Sequence, residues 1–164
     1  MSAPPAGNSD CINLYGRGLD RLEADALRGT CHADAVDKHS SFTRTIDEFA
    51  PFAIECESTF AQTHHSVSSH NCEIDEDTAQ AESYVHFFVL MCDRPIIGAG
   101  GGRYIDRLEK QNGKWASAVR SLIMDWTCEI PSPDWFGADW AKQPPRRDRK
   151  DFAYHRPLET PETN

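Results

Sequence analysis

Residues 83–92, Ser83-Tyr84-Val85-His86-Phe87-Phe88-Val89-Leu90-Met91-Cys92, decide what kind of fold this chain can have. The run is rich in aromatic and β-branched residues, the composition of a strand. After His86 it is apolar on both parities, so the strand is expected to be buried on two sides. One side faces the domain core. The other needs a second covering surface, such as a neighbouring subunit, which argues against a monomer.

Working outward, the β pattern begins near Thr63. A third strand is predicted from about Gly102 to Glu109, and Asn112-Gly113 is a hairpin turn into a return strand from Lys114 to Cys128. Upstream the period changes. From about Asp10, the residues Cys11, Leu14, Tyr15, Gly18, Leu19 and Leu22 fall on one helical face. A short helix is predicted over Glu23 to Arg28, then a turn or short extended piece over Cys31 to Asp37. A further amphipathic helix over Thr45 to Phe60 carries Ile46, Phe49, Phe52, Ala53 and Cys56. Helices followed by a run of strands indicate an α+β domain. Residues 1–9 read as a disordered lead, 10–130 as the domain, and 131–164 as an irregular tail. Trp135, Phe136 and Trp140 are its expected anchors on the domain or a neighbouring subunit.

The formal charge is 17 − 26 = −9 over 164 residues, a poor match for a phosphate backbone, so no nucleic-acid partner is expected. The basic run Arg146-Arg147-Asp148-Arg149-Lys150 reads as a solvated segment. The longest apolar run, Phe87 to Cys92, is far too short to span a bilayer, so no membrane partner is expected. The start of the chain lacks the basic and apolar stretches of a secretory signal, which points to the cytoplasm. The cysteines are scattered without a C-x-x-C pair and read as thiols rather than a zinc ribbon or redox motif.

Three histidines, His64, His65 and His70, crowd one strand. At a rise of about 3.3 Å per residue, His64 and His70 share a face but lie about 20 Å apart, and His65 points the other way. That trio cannot close on one metal ion held at about 2 Å. His32, Asp34 and His39 lack a diagnostic spacing, and no metal is expected. The glycine run Gly98 to Gly102 leads into a strand rather than opening a helix, so it reads as a loop or bulge with close backbone approach. Arg120 stands in the otherwise apolar row Ala116, Ala118, Leu122, Met124 and Trp126. Burying it requires an anion or carboxylate, with Asp106 and Asp20 as candidates. Asp20 itself would lie about 150° from the apolar stripe on an unbroken helix, at 100° per residue. Only a break near Gly18 would turn it inward.

The ordered set Leu14-Tyr15-Gly16-Arg17-Gly18-Leu19-Asp20-Arg21, His32 to Val36, Thr63-His64-His65, Glu73 to Tyr84, Gly102 to Glu109, Gly113-Lys114-Trp115, Arg120 and Asp125-Trp126 resembles the SnoaL-like branch of the nuclear transport factor 2-like superfamily. The resemblance covers about residues 10–130. It implies a cone: a strongly curved mixed sheet packed on about three N-terminal helices and enclosing a pocket. It also implies a cofactor-free lyase, dehydratase or dehydrohalogenase, or an isomerase, commonly trimeric, acting on a small hydrophobic cyclic molecule. The family's His–Asp dyad maps to His65 and Asp20, its pocket tyrosine to Tyr15 and its pocket arginine to Arg120. His64, His70, Tyr84 and Trp126 are the candidate substrate-binding residues. A bulge within Ser66 to Ser69 would reconcile His65 with the alternation read back from Cys72 and Ile74. Glu76 stands where the family usually has a turn glycine. A second reading is a non-catalytic binding or assembly subunit resembling the β subunits of ring-hydroxylating dioxygenases.

Overall fold

The computed structural model describes residues 7–39, 42–132 and 145–157. The first six residues of the expected lead and the anchors Trp135, Phe136 and Trp140 lie outside these residues. The chain runs α1 (Asn8–Asp20), α2 (Ala24–Arg28), β1 (Cys31–His39), β2 (Phe42–Thr45), α3 (Ile46–Ser58), β3 (Gln62–Asp75), β4 (Thr78–Leu90), β5 (Ile96–Gln111) and β6 (Lys114–Pro131). Helix α1 therefore starts inside the expected lead, where Asp10 Oδ2 accepts the Gly7 N–H at 3.2 Å. Helix α3 starts where Thr45 donates both its N–H and its hydroxyl to Glu48 Oε2, at 3.1 and 2.9 Å.

The strands form one curved, unclosed mixed sheet in the order β2-β1-β6-β5-β4-β3. Every neighbour pair is antiparallel except β1 with β6. The three helices close its concave side. Ile12, Tyr15 and Leu19 of α1 and Ile46, Phe49, Ala50 and Ala53 of α3 meet Val85 and Tyr104 in the main core. This is the expected α+β cone. No helix among the described residues is long and apolar enough to cross a membrane.

Two local readings left a choice that the structure makes. Cys31 to Asp37 is extended rather than a turn and forms most of strand β1, paired with β6. The run Gly98 to Gly102 is a bulged strand rather than a loop, lying in the first half of β5 with a register shift between Gly101 and Gly102. Close approach explains its composition. A Cβ on Gly100 would lie 2.4 Å from Phe87 Cζ, and one on Gly102 would lie 2.3 Å from the Ile123 carbonyl oxygen. Helix α1 runs through Gly18 without a break. The outer side of β4 is bare in the single chain, with Tyr84 and Phe88 exposed beside Ile123 and Trp126.

Two bulges decide which side chains face the core. In β3 the register shifts between Ser68 and His70, and Ser69 takes a left-handed φ of 45°. Thr63, His65 and Val67 point inward before the shift, and His70 and Cys72 after it. In β6, Gly102 pairs with Met124 but Gly101 pairs with Trp126, so Asp125 is the extra residue. That extra residue turns Trp126 out of the Arg120 row.

Candidate active site

Helix α1 presents a second face beyond its apolar stripe. At Gly16 a Cβ would stand 3.2 Å from His65 Cβ, so the missing side chain lets α1 lie directly on β3. Asp20 follows Gly16 by four residues and shares that face. It therefore reaches the strand without any helix break.

The Asp20 carboxylate is met from three directions. His65 Nδ1 donates to Oδ1 at 2.8 Å, the His65 backbone N–H donates to Oδ2 at 2.9 Å, and the Thr63 hydroxyl donates to Oδ1 at 3.1 Å. A carboxylate only accepts, so this bond fixes the proton on Nδ1 and leaves the Nε2 lone pair for chemistry. Nε2 has no hydrogen bond to any described residue, and the ring lies 6.1 Å from Phe87. Burial alone would raise the Asp20 pKa. The hydrogen bonds and charge of His65, with the Thr63 hydroxyl, more than offset that and hold the carboxyl below its ordinary value.

Glu57, near the end of α3, is a second carboxylate at the site. Burial raises its pKa, and the nearby charges of His65 and Arg147 only partly oppose this. Its Oε2 is buried with no hydrogen-bond partner among the described residues. Sequence reasoning missed it, although a signal existed. Ile46, Ala50 and Ala53 are buried on α3, and Glu57 continues that row at helical spacing.

The dyad borders a cleft of about 450 Å³ between α1, β3 and the segment 145–157. Asn13, Arg17, Gln62 and His64 line it with polar groups, and Pro145 and Asp151 form its far wall. His64 thus lines the cleft that the dyad borders, although its side chain is exposed. His70 faces the core further along β3, with Nδ1 2.8 Å from Ser83 Oγ and Nε2 buried without a hydrogen-bond partner among the described residues. Tyr84 and Trp126 are not brought to the site. They stand on the outer face, 41% and 46% exposed, with Trp126 beside His86. The parity of β4 and the Asp125 bulge put them there.

Tyr15 and Arg120 form a separate, fully buried polar cluster on the floor of the cone. Arg120 donates from Nε and Nη2 to the two Asp106 oxygens at 2.8 and 3.3 Å, so Asp106 rather than Asp20 is its partner. Its guanidinium stacks over the rings of Tyr15 and Tyr104, 3.9 and 4.6 Å from their centroids. Nη1 is buried without a hydrogen-bond acceptor among the described residues. The Tyr15 hydroxyl donates to Asp37 Oδ2 at 2.9 Å, and His39 Nδ1 contacts the other Asp37 oxygen. Burial, and then Asp37, push the Tyr15 pKa well above its ordinary value. As it stands, the Tyr15 proton is committed to the core and is not aimed at the cleft. His32 is likewise engaged, with Nε2 3.0 Å from the Glu109 carbonyl oxygen. No three His, Cys, Asp or Glu side chains among the described residues are placed to hold a metal ion.

The three helices packed on the curved mixed sheet define an α+β domain of the cone-fold class. Residues 9–121 match the family model described as a SnoaL-like domain, and the chain belongs to that family. No curated protein matches it in sequence. Among solved structures it is similar to a proposed scytalone dehydratase from Novosphingobium aromaticivorans, with a TM-score of 0.68 at 20% identity, over 79% of this chain and 91% of that one. It is also similar to a type 2 hexachlorocyclohexane dehydrochlorinase, with a TM-score of 0.70 at 15% identity, over 78% and 92%. A third likeness is to a proposed aromatic ring hydroxylase from Novosphingobium aromaticivorans, with a TM-score of 0.67 at 16% identity, over 74% and 90%. At such identities these likenesses carry the fold and no particular reaction.

Proposed function

We propose that the chain is a cofactor-independent lyase or isomerase acting on a cyclic small molecule, with His65 as general base and Asp20 as its orienter. The observation that carries this reading is the 2.8 Å bond from His65 Nδ1 to Asp20 Oδ1, with Nε2 left unbonded beside a cleft. In an elimination, Nε2 takes a proton from a ring carbon and the C–H electrons form the new double bond. The neighbouring C–X bond breaks, and X leaves as halide, or, where X is a hydroxyl, as water when the imidazolium Nε2–H gives its proton to the departing oxygen. Asp20 stabilises the imidazolium that forms. In an isomerase the same base returns the proton at another carbon.

The test is a screen of halogenated and hydroxylated ring compounds for elimination, followed by variants on any substrate found. Asp20→Asn should lower kcat by about a hundred-fold or more, the scale of a misoriented general base. Wild-type turnover in Asp20→Asn would refute the assignment. The bare outer face, with Phe88, Ile123, Trp126 and Ile130, supports assembly of like subunits, trimers included, through the sheet. Light scattering should then give a mass above that of one chain, and a monomer at micromolar concentration would remove that part of the reading.

A further inference from the structure

The guanidinium of Arg147 reaches in from the strap, residues 145–157, and meets five acceptors. Nε donates to the Asp20 carbonyl at 2.8 Å. Nη1 donates to the carbonyls of Glu57 and Phe60 at 2.8 and 3.3 Å. Nη2 donates to the Leu19 carbonyl at 3.3 Å and to Thr63 Oγ1 at 2.9 Å. The four carbonyls lie at or just past the ends of α1 and α3, where helices leave acceptors unsatisfied and where a cation is favoured. One fork therefore pins two helix ends together.

The fifth acceptor has a different consequence. A hydroxyl carries one proton, and with Arg147 occupying a lone pair of Thr63 Oγ1, that proton is directed to Asp20 Oδ1 at 3.1 Å. Arg147 thus holds Asp20 twice, by its own carbonyl and through Thr63 at its carboxylate. We propose that Arg147 is the positioning residue of the Asp20–His65 dyad, so that the strap must be docked for the dyad to take its bonded geometry. The word dyad here rests on the proposed function; the positioning does not. Glu57 and Asp20 supply the counter-charge for this partly buried cation. The rest of the strap is held separately, by Arg21 with Asp151 at 3.1 Å and by Arg149 with Glu23 at 2.9 Å. In the latter pair the Arg149 side chain is 69% exposed, so the pair is worth little to the fold. A lysine at 147 cannot replace the fork, because one ammonium cannot span both helix ends and Thr63.

The experiment uses the whole isotope-labelled chain and follows the downfield resonance of the His65 Nδ1 proton and its exchange with water. In Arg147→Ala the exchange should accelerate by about ten-fold or more, the factor expected when a charge-assisted hydrogen bond loses its support. Guanidinium added to Arg147→Ala should slow it again, and Arg149→Ala should leave it as in the wild type. A wild-type exchange rate in folded Arg147→Ala overturns the proposal. If Arg147→Ala does not fold, Thr63→Val decides, since it keeps the four carbonyl bonds and removes only the relay. Faster exchange there supports the positioning role, and unchanged exchange overturns it. The readout needs no turnover. Accelerated exchange in a protein inactive on every ring compound would sink the lyase reading and leave this one standing.

Discussion

Asp106→Asn is the substitution whose cost follows most directly from the structure. Asp106 is wholly buried and Arg120 is 2% exposed, so neither charge is shared with bulk water. Asp106 accepts two bonds from Arg120 and a third from the Ser117 hydroxyl at 3.1 Å. The nearby buried carboxylate of Asp37 is already engaged by Tyr15 and His39. The asparagine keeps the volume and one acceptor but leaves the guanidinium without a paired countercharge. Breaking a buried pair from one side costs about 3–5 kcal/mol, and the retained acceptor places this case near the lower end. Against a total stability of about 5–15 kcal/mol, that is a large fraction. Urea unfolding followed by tryptophan fluorescence, at one fixed protein concentration, measures it as a lower midpoint with unchanged slope. Replacing both partners, Asp106→Leu with Arg120→Met, should recover most of the loss, because no lone charge is left behind. A cost below about 1 kcal/mol for Asp106→Asn would refute the reasoning. It would mean that water screens the pair.

Other outcomes can be checked alongside. Glu57 has a raised folded pKa, so the native state holds its proton more tightly and loses stability as pH rises from its ordinary carboxylate range through the folded value. Glu57→Gln should therefore gain thermal stability over the wild type at neutral pH and lose that gain at acid pH; a difference independent of pH would contradict this. Gly102→Ala drives a Cβ to 2.3 Å from a backbone oxygen that cannot move alone, so a cost of about 3 kcal/mol is expected. Gly113→Ala meets nothing within 4 Å and pays only for its φ of +78°, about 1 kcal/mol, so equal midpoints for these two variants would undo the packing argument.

Much of the frame was legible because it rests on local rules. The stripe of α1 follows helical spacing, and Asn112-Gly113 takes the two positive φ values, 53° and 78°, that a tight hairpin requires. What was not legible depends on single extra residues and on pieces brought together from afar. Alternation read through Asp125 put Trp126 in the Arg120 row, and only the partner strand shows that Asp125 is extra. The apolar stripe of α1 hid Asp20, because the face against β3 is marked by an absent side chain, Gly16, rather than by a large one. His65 and Asp20 were identified by family likeness rather than by periodicity. Arg147 carried no local signal at all. Within a basic run it looked solvated, and its five acceptors lie 84 to 128 positions away in sequence.

The bulge at Ser69 has a consequence for how this strand can change over generations. Point substitutions alter one side chain at a time, but removing the single codon for Ser69 would make the pairing of β3 continuous. Neither half would have to turn, because Ser69 is the extra residue: with it gone, Val67 faces in, Ser68 out and His70 in, which is strict alternation. His65 would stay beside α1 and His70 within the cone. The bulge is thus a spare length of chain, and a one-codon loss elsewhere in β3 can be absorbed there, turning over only the residues between the deletion and Ser69.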